Sequence, residues 1–254
     1  MNRSRVASPA LALLLAAVIP YVSGCDALEQ GGPEAGSAPD TSHGRAVSPL
    51  ANPDGTEPGL AALTSEADKA NARKLIQGLT TKRRGPKTGY ERDEFGHAWM
   101  DTADGVPLAR NGCDTRNDLL KLHGRHVQFR SGSDCVVVAM DLYDPYTGED
   151  IAWKKSKAAE VQIDHVVPLS YSWQMGAVRW PENKRKQLAN DVLNLLPVEG
   201  RANSAKRDSG PASWLPPNKK IRCAYAVRFA QVATKYALPV TAPDKAAMLR
   251  QCGG

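Results

Sequence analysis

Two short apolar runs, at residues 161–167 and 193–198, constrain the fold of this chain more than any other feature. Each run has the length and the branched or apolar composition of a strand. The residues between the runs are helical by composition, with Pro181 at a first-turn position, and the second run leads into Gly200 and a further helical stretch. Strands and helices that follow one another without regular alternation predict an α+β fold rather than a wound parallel sheet.

The region upstream of these runs predicts a small antiparallel sheet with flanking helices. Residues 126–130 and 135–143 alternate or run apolar as strands do, and residues 144–150 contain the Pro and the Gly of a turn before a returning strand. We expect two helices before the sheet, one capped by Ser65 and one over residues 116–122.

The N-terminus has the order of an export signal. Arg3 and Arg5 precede an apolar run at residues 10–19, which is too short to span a bilayer, and the sequence Val-Ser-Gly-Cys then ends at Cys25. This ending resembles a bacterial lipobox, in which the Cys is acylated and becomes the first residue of the mature chain. We therefore expect a lipoprotein signal peptide over residues 1–24 and a lipid anchor on Cys25. An ordinary cleaved signal with an unrelated Cys is the alternative.

Composition divides the mature chain into a tether and a domain. Residues 25–62 are rich in Gly, Pro, Ala, Ser and Asp and contain few bulky apolar residues, so we expect a disordered tether. Residues 63–254 are then expected to form a single domain, which is long enough to bury one core.

Four cysteines follow Cys25, an even number that suggests two disulfides in an exported chain. Three pairings are formally possible. We expect Cys113 to pair with Cys135 and Cys223 to pair with Cys252, because each pair closes a short loop within one region. None of the four has the C-x-x-C spacing of a structural zinc site.

Positive charge is concentrated around the two apolar runs. The whole chain has a formal net charge of +6, but residues 161–235 alone contain twelve Lys and Arg against five Asp and Glu. A solvated surface explains any single Lys or Arg. An excess of them beside a candidate site favours a phosphate-rich substrate.

Chemically useful side chains follow both runs. Asp164 and His165 lie within the first run, and Asn203 and Lys206 follow the second run. A carboxylate and an amide oxygen suit a hard divalent cation, and an imidazole with a near-neutral pKa can take a proton from water. Such residues are the parts of a metal-dependent phosphodiesterase.

Residues 162–208 resemble the HNH endonuclease family, and residues 90–236 are similar to the secreted HNH-type proteins of actinobacteria related to the DUF1524 group. The resemblance is carried by the Asp-His pair, by Asn194 in LNLL, and by Asn203 nine residues later. It implies a ββα-metal (His-Me finger) core. The family often has His at the last position, where this chain has Asn203.

The resemblance also implies a role for each residue. Asp164 and Asn203 would bind Mg²⁺ or another divalent cation such as Mn²⁺. His165 would act as the general base, and Asn194 would fix the loop that carries His165 through hydrogen bonds.

Cationic side chains are expected to bind the substrate phosphate. Lys206 or Arg201 would offset the charge of the transition state. Upstream, YERDEFGHAW and RNGCDTRNDLL resemble the first half of the same secreted family, which implies that Arg116 lines a phosphate groove, with Arg92, Arg110 and Asp114 as further candidates. The alternative is that these charges cap the helix and flank a disulfide.

The sequence therefore predicts a metal-dependent endonuclease that hydrolyses phosphodiester bonds of nucleic acid, with DNA as the expected substrate. We expect a monomer outside the cytoplasmic membrane, either lipid-anchored to its outer face or secreted. Two alternatives stay open. One is a non-catalytic envelope module that binds nucleic acid or an acidic polymer, and the other is a metal-dependent hydrolase of some other phosphate ester.

Overall fold

The computed structural model describes residues 46–254, which contain seven α-helices and five strands joined by loops and 3-10 turns. The helices are α1 (Glu66–Gln77), α2 (Thr115–His123), α3 (Leu169–Met175), α4 (Glu182–Asn190), α5 (Gly200–Lys206), α6 (Arg222–Lys235) and α7 (Ala242–Gln251). The strands are β1 (Arg125–Phe129), β2 (Val137–Tyr143), β3 (Asp150–Lys154), β4 (Val161–His165) and β5 (Leu195–Glu199). This mixture confirms the predicted α+β class.

The strands form two separate antiparallel groups, a three-stranded sheet β1-β2-β3 and a pair β4-β5. The pair lies between two apolar clusters. Ile163 and Leu195 belong to the smaller cluster with α2 and the three-stranded sheet, and Leu196 and Val198 belong to the larger cluster around α6. Because both faces of the pair are covered, β5 (LLPVE) is an almost continuous apolar run, whereas β4 (VQIDH) carries three polar residues.

Helix α6 is the central helix of the larger cluster, since ten of its fourteen residues are buried. Helix α1 packs against α6 and begins as predicted, with the Ser65 hydroxyl accepting a hydrogen bond from the Asp68 amide at 3.0 Å. Ile76 and Leu79 near its end are buried in the same cluster.

The domain begins earlier than the sequence predicts. Within residues 46–62, Leu60 is buried in the larger cluster, and the Gln231 amide of α6 donates to the Pro49 carbonyl at 2.6 Å. Residues 46–62 therefore belong to the folded domain, and their assignment to the tether is wrong. A few well-placed apolar side chains suffice to dock a segment whose composition is otherwise that of a linker.

The predicted signal peptide, the lipid anchor at Cys25 and the tether up to residue 45 lie outside the described residues. Over residues 46–254, no helix has both the length and the apolar character needed to cross a bilayer.

Both predicted disulfides are confirmed. Cys113 pairs with Cys135 and ties the start of α2 to the residues before β2, and Cys223 pairs with Cys252 and ties the start of α6 to the end of α7. They close loops of 22 and 29 residues. By restricting the unfolded chain, each bond of this kind typically contributes about 3 kcal/mol.

A buried histidine makes the fold sensitive to acid. His123 ends α2, its Nδ1 accepts from the Gly59 amide at 2.9 Å, and burial together with the nearby Arg228 cation lowers the pKa of His123 to about 3. The unfolded chain, with a His pKa of about 6.5, takes up a proton first as the pH falls. The stability that neutral His123 provides is therefore present above pH 6.5 and is lost progressively as the pH falls towards 3.

We expect this residue alone to remove about 2 kcal/mol of the free energy of unfolding between pH 7.5 and pH 5. Urea denaturation at the two pH values measures the loss, and the matched control is His123→Asn, which keeps an acceptor for Gly59 but does not titrate. The variant should lose about 2 kcal/mol less than the parent over this range. An equal loss of unfolding free energy in the parent and in the variant would contradict the low pKa of His123.

Candidate active site

Asp164 and His165 end strand β4, where successive side chains point to opposite faces. Asp164 is paired in register with Leu196 and faces the larger cluster, whereas His165 is paired with Leu195 and faces the smaller one. Both nevertheless line one cleft of about 460 Å³ at the strand end, which we call the active cleft. The end of β4 thus brings two different chemical groups to one opening, although they point to opposite faces of the strand.

Asp164 is held by two donors in an apolar setting. The Tyr146 hydroxyl donates to its Oδ2 at 2.5 Å and the Lys206 ammonium donates to its Oδ1 at 2.9 Å, while only 4% of Asp164 is exposed. Burial raises the pKa of Asp164, and the Lys206 cation and the Tyr146 hydroxyl oppose that rise because they stabilise the carboxylate. Each carboxylate oxygen has two acceptor positions, so both keep capacity for a further ligand.

Lys206 is buried and is not among the residues that line the active cleft. Its side chain is 0% exposed, and Nζ also donates to the main-chain carbonyl of His165 at 2.7 Å. Its ammonium contacts Asp164 and His165, while the predicted contact with the transition state stays a prediction. Lys206 fixes the end of β4 by binding Asp164 and His165 together.

His165 is held in one tautomer. Its Nε2 lies 3.0 Å from the Ala189 carbonyl, which can only accept, so Nε2 carries the proton and Nδ1 is the free base. Burial, with a contribution from the Arg92 cation, lowers the pKa of His165 to about 3. The imidazole is therefore neutral at physiological pH, as a general base must be.

A tryptophan that sequence reasoning did not assign to the site covers His165. The indole of Trp99 stacks on the imidazole with ring centroids 5.8 Å apart and planes 15° apart. Trp99 has a φ of +60°, a left-handed conformation that is uncommon for a bulky residue. Its loop is secured at Thr115, whose amide donates to the Trp99 carbonyl at 3.2 Å, and nearby at the disulfide of Cys113.

Removing the indole should change the acid–base behaviour of His165. In Trp99→Ala we expect the pKa of His165 to rise from about 3 towards the reference value of about 6.5, because water reaches the imidazole. Titration of the His165 ring protons by NMR measures the shift. Trp99→Phe keeps a stacked ring and should keep the low pKa. A His165 titration in Trp99→Ala identical to that of the parent would show that the indole does not shield the imidazole.

Asn194 lies at the loop that the sequence analysis assigned to it. Its side-chain Oδ1 accepts from the Val167 amide at 2.8 Å, and its Nδ2 donates to the carbonyls of Leu188 and Val167. The Asn194 carbonyl also accepts from the Val166 amide at 2.8 Å. Asn194 is fully buried and so fixes the loop after His165 without reaching the cleft, while its effect on catalysis stays a prediction.

Asn203 reaches the active cleft from α5. The Glu199 carboxylate caps this helix by accepting from the Ala202 amide at 2.7 Å, which sets the direction in which α5 leaves β5. The Asn203 Nδ2 donates to the Gln162 side-chain oxygen at 2.9 Å, and this bond leaves the amide oxygen of Asn203 for a ligand. Asp164 and Asn203 thus offer two oxygen donors to one cleft.

The predicted phosphate-binding arginines Arg116 and Arg201 lie elsewhere. Arg116 extends over the Trp153 ring and donates to the Val161 carbonyl at 3.4 Å, near the opposite end of β4 from the cleft. Arg201 is exposed and does not line the cleft, since the first turn of α5 points it outward. Neither residue therefore lines the active cleft, and a contact of either with substrate phosphate stays a prediction.

Other cations replace them. Lys87, Arg92 and Arg207 line the active cleft. The sequence predicts Arg92 only as a further candidate and does not predict Arg207. Arg207 follows the last residue of α5 and has a φ of +53°, so helix spacing does not determine where its side chain points.

The chain matches the family model described as GmrSD restriction endonucleases, C-terminal domain, over residues 114–251. A protein of Arthroderma benhamiae described as an uncharacterized secreted protein is 39% identical over 188 residues, which cover 72% of this chain and 85% of that protein. No solved structure matches the chain. The matched family region includes Asp164, His165, Asn194 and Asn203 but begins after Trp99.

Proposed function

The chain belongs to the family of the GmrSD restriction endonuclease C-terminal domain, and from that membership we propose that it is an HNH-type, metal-dependent endonuclease acting on DNA. One observation carries the proposal beyond the family. A neutral histidine with a free Nδ1 lines the same basic cleft as two oxygen donors, Asp164 and Asn203. A base and an oxygen-donor pair beside cations are what hydrolysis of a phosphodiester requires.

Asp164 and Asn203 are the residues that would hold a divalent cation, together with water and substrate phosphate. Mg²⁺ or Mn²⁺ would suit these donors, because both are oxygen atoms. Residues 46–254 contain no group of three or more His, Cys, Asp or Glu that could hold a metal ion, so water and substrate phosphate would have to supply the other ligands. When bound, the cation would supply Lewis-acid stabilisation of the negative charge on the leaving oxygen.

His165 performs the proton transfer in this proposal. Nδ1 accepts a proton from water as the water oxygen attacks phosphorus and the bond from phosphorus to the leaving oxygen breaks. The Ala189 carbonyl stabilises the resulting imidazolium through the Nε2 hydrogen bond. Arg92 and Arg207, which line the cleft, would bind the other phosphate oxygens.

We propose a location outside the cytoplasmic membrane, with a lipid on Cys25. Two disulfides within the domain and the description of the fungal relative as secreted support an extracytoplasmic location. The lipid anchor is supported by the lipobox-like sequence alone.

Turnover of a fluorescent oligonucleotide tests the function. The purified protein, produced by export so that its disulfides form, is incubated with single- and double-stranded DNA and RNA in Mg²⁺. We expect DNA to be cut internally. The amount of product should increase with time and should come to exceed the amount of protein. Tight binding of intact oligonucleotide without any product would instead favour the non-catalytic envelope module.

A further inference from the structure

A second basic cleft lies beside the active cleft. It has a volume of about 700 Å³ and is lined by residues 81–84, by the loop around Gly210 and Ser213, and by residues 241–244 at the start of α7. Three consecutive cations, Lys82, Arg83 and Arg84, form one wall. Nothing in the proposed chemistry uses this cleft.

The segment carrying these cations is fixed to the domain. The Lys82 amide donates to the Val240 carbonyl at 2.9 Å, and the Gly85 amide donates to the Gln174 carbonyl of α3 at 3.0 Å. A Cβ on Gly85 would lie 2.8 Å from the Gln174 carbonyl oxygen, so glycine is required for this approach. Because the backbone is held on both sides, the cations are presented at fixed positions rather than on a free loop.

Asp208 connects the two clefts. It lines the active cleft, its carboxylate lies 3.5 Å from both the Arg84 guanidinium and the Lys87 ammonium, and its carbonyl accepts from Arg84 at 2.9 Å. Arg84 also lies over the Tyr171 ring, 5.1 Å from its centroid. The two clefts are therefore neighbours along one surface.

The second cleft has a net positive charge, because three cations line it against one carboxylate. Asp244 is 4% exposed and accepts from the Tyr171 hydroxyl, the Thr241 hydroxyl and the Ala212 amide. Lys82 and Arg83 are exposed and form no salt bridge with any other described residue. Two cations at fixed positions beside the active cleft, without a carboxylate partner within residues 46–254, match the charge of a nucleic-acid backbone.

Taking the proposed function as the premise, we propose that the second cleft binds the phosphodiester backbone of the nucleic acid whose scissile phosphate lies in the active cleft. Lys82 and Arg83 contact phosphates and carry no base readout. The second cleft thereby adds affinity for long substrates without sequence preference.

The test is the affinity of the double variant Lys82→Ala/Arg83→Ala for a fluorescent DNA duplex, measured by anisotropy in EDTA so that no cleavage occurs. We expect the Kd to rise by at least about tenfold at low salt and the slope of log K against log salt to fall in magnitude by about 2. The matched control is Lys121→Ala/Arg130→Ala, which removes the same charge from exposed residues that line neither cleft and should leave the Kd unchanged.

A double variant that binds the duplex with the Kd and the salt slope of the parent would overturn the proposal. So would an equal loss of affinity in the control variant, because only total charge would then matter. If the parent binds DNA through Lys82 and Arg83 but never cuts it in Mg²⁺, the proposed function fails while the second cleft stands as a nucleic-acid site.

Discussion

Replacing His165 with alanine is expected to lower kcat for DNA cleavage by about 10³-fold, the usual scale for losing a general base. The physical reason is that Nδ1 of His165 is an unprotonated base, because burial keeps the imidazole neutral. Among the described residues, no other imidazole lines the cleft that could replace it. The measurement is single-turnover cleavage of a fluorescent oligonucleotide in saturating Mg²⁺.

The partner variant Asp164→Asn should fail for a different reason. It removes the anionic oxygen donor, so Mn²⁺ binding followed by EPR should weaken strongly, whereas His165→Ala should bind Mn²⁺ as the parent does. His165→Ala that cuts DNA as fast as the parent would show that the base is misassigned. Equal Mn²⁺ affinity in Asp164→Asn and the parent would remove Asp164 from the metal site.

Replacing Lys206 with methionine is expected to destabilise the domain by about 3–5 kcal/mol, because the buried Asp164 carboxylate loses its one cationic partner among residues 46–254. Urea denaturation near pH 7 measures the loss. Without Lys206 the pKa of Asp164 in the folded state rises further above its unfolded value of about 3.9. The folded state then binds more protons, so the variant should regain stability as the pH falls and lose it as the pH rises.

Two controls separate charge burial from simple loss of a side chain. Lys206→Met/Asp164→Asn removes the buried charge while keeping an acceptor for Tyr146, and should recover much of the lost stability. Lys69→Met breaks an exposed pair with Glu66 and should leave the free energy of unfolding almost unchanged. If Lys206→Met loses as little stability as Lys69→Met, the ion pair between Lys206 and Asp164 does not stabilise the end of β4.

The local features that the sequence predicts well are those that depend on short-range chemistry. The Ser65 cap and the two disulfides follow from residue type and spacing, and the β4–β5 pair follows from apolar runs. The Asp-His pair and Asn203 line one cleft, as the sequence predicts, because the end of a strand and the start of the next helix can be located from residue type.

The features that the sequence did not predict depend on burial and long-range contacts. Lys206 reads as a surface cation, and only the approach of β4 to α5 shows that its ammonium is enclosed. Trp99 lies far from His165 in sequence and stacks on it through a left-handed backbone that no spacing encodes. Arg116 reads as a groove cation, but helix α2 directs it to Trp153 instead.

Nicking of supercoiled plasmid by the purified protein tests the central claim most directly. We predict that relaxed and then linear plasmid appear in Mg²⁺, that cleavage stops when EDTA is added, and that it resumes when Mg²⁺ is restored in excess. Plasmid that stays supercoiled in both Mg²⁺ and Mn²⁺, with protein whose two disulfides are formed, would contradict the assignment of the Asp164, His165 and Asn203 cleft as a DNA-cutting site.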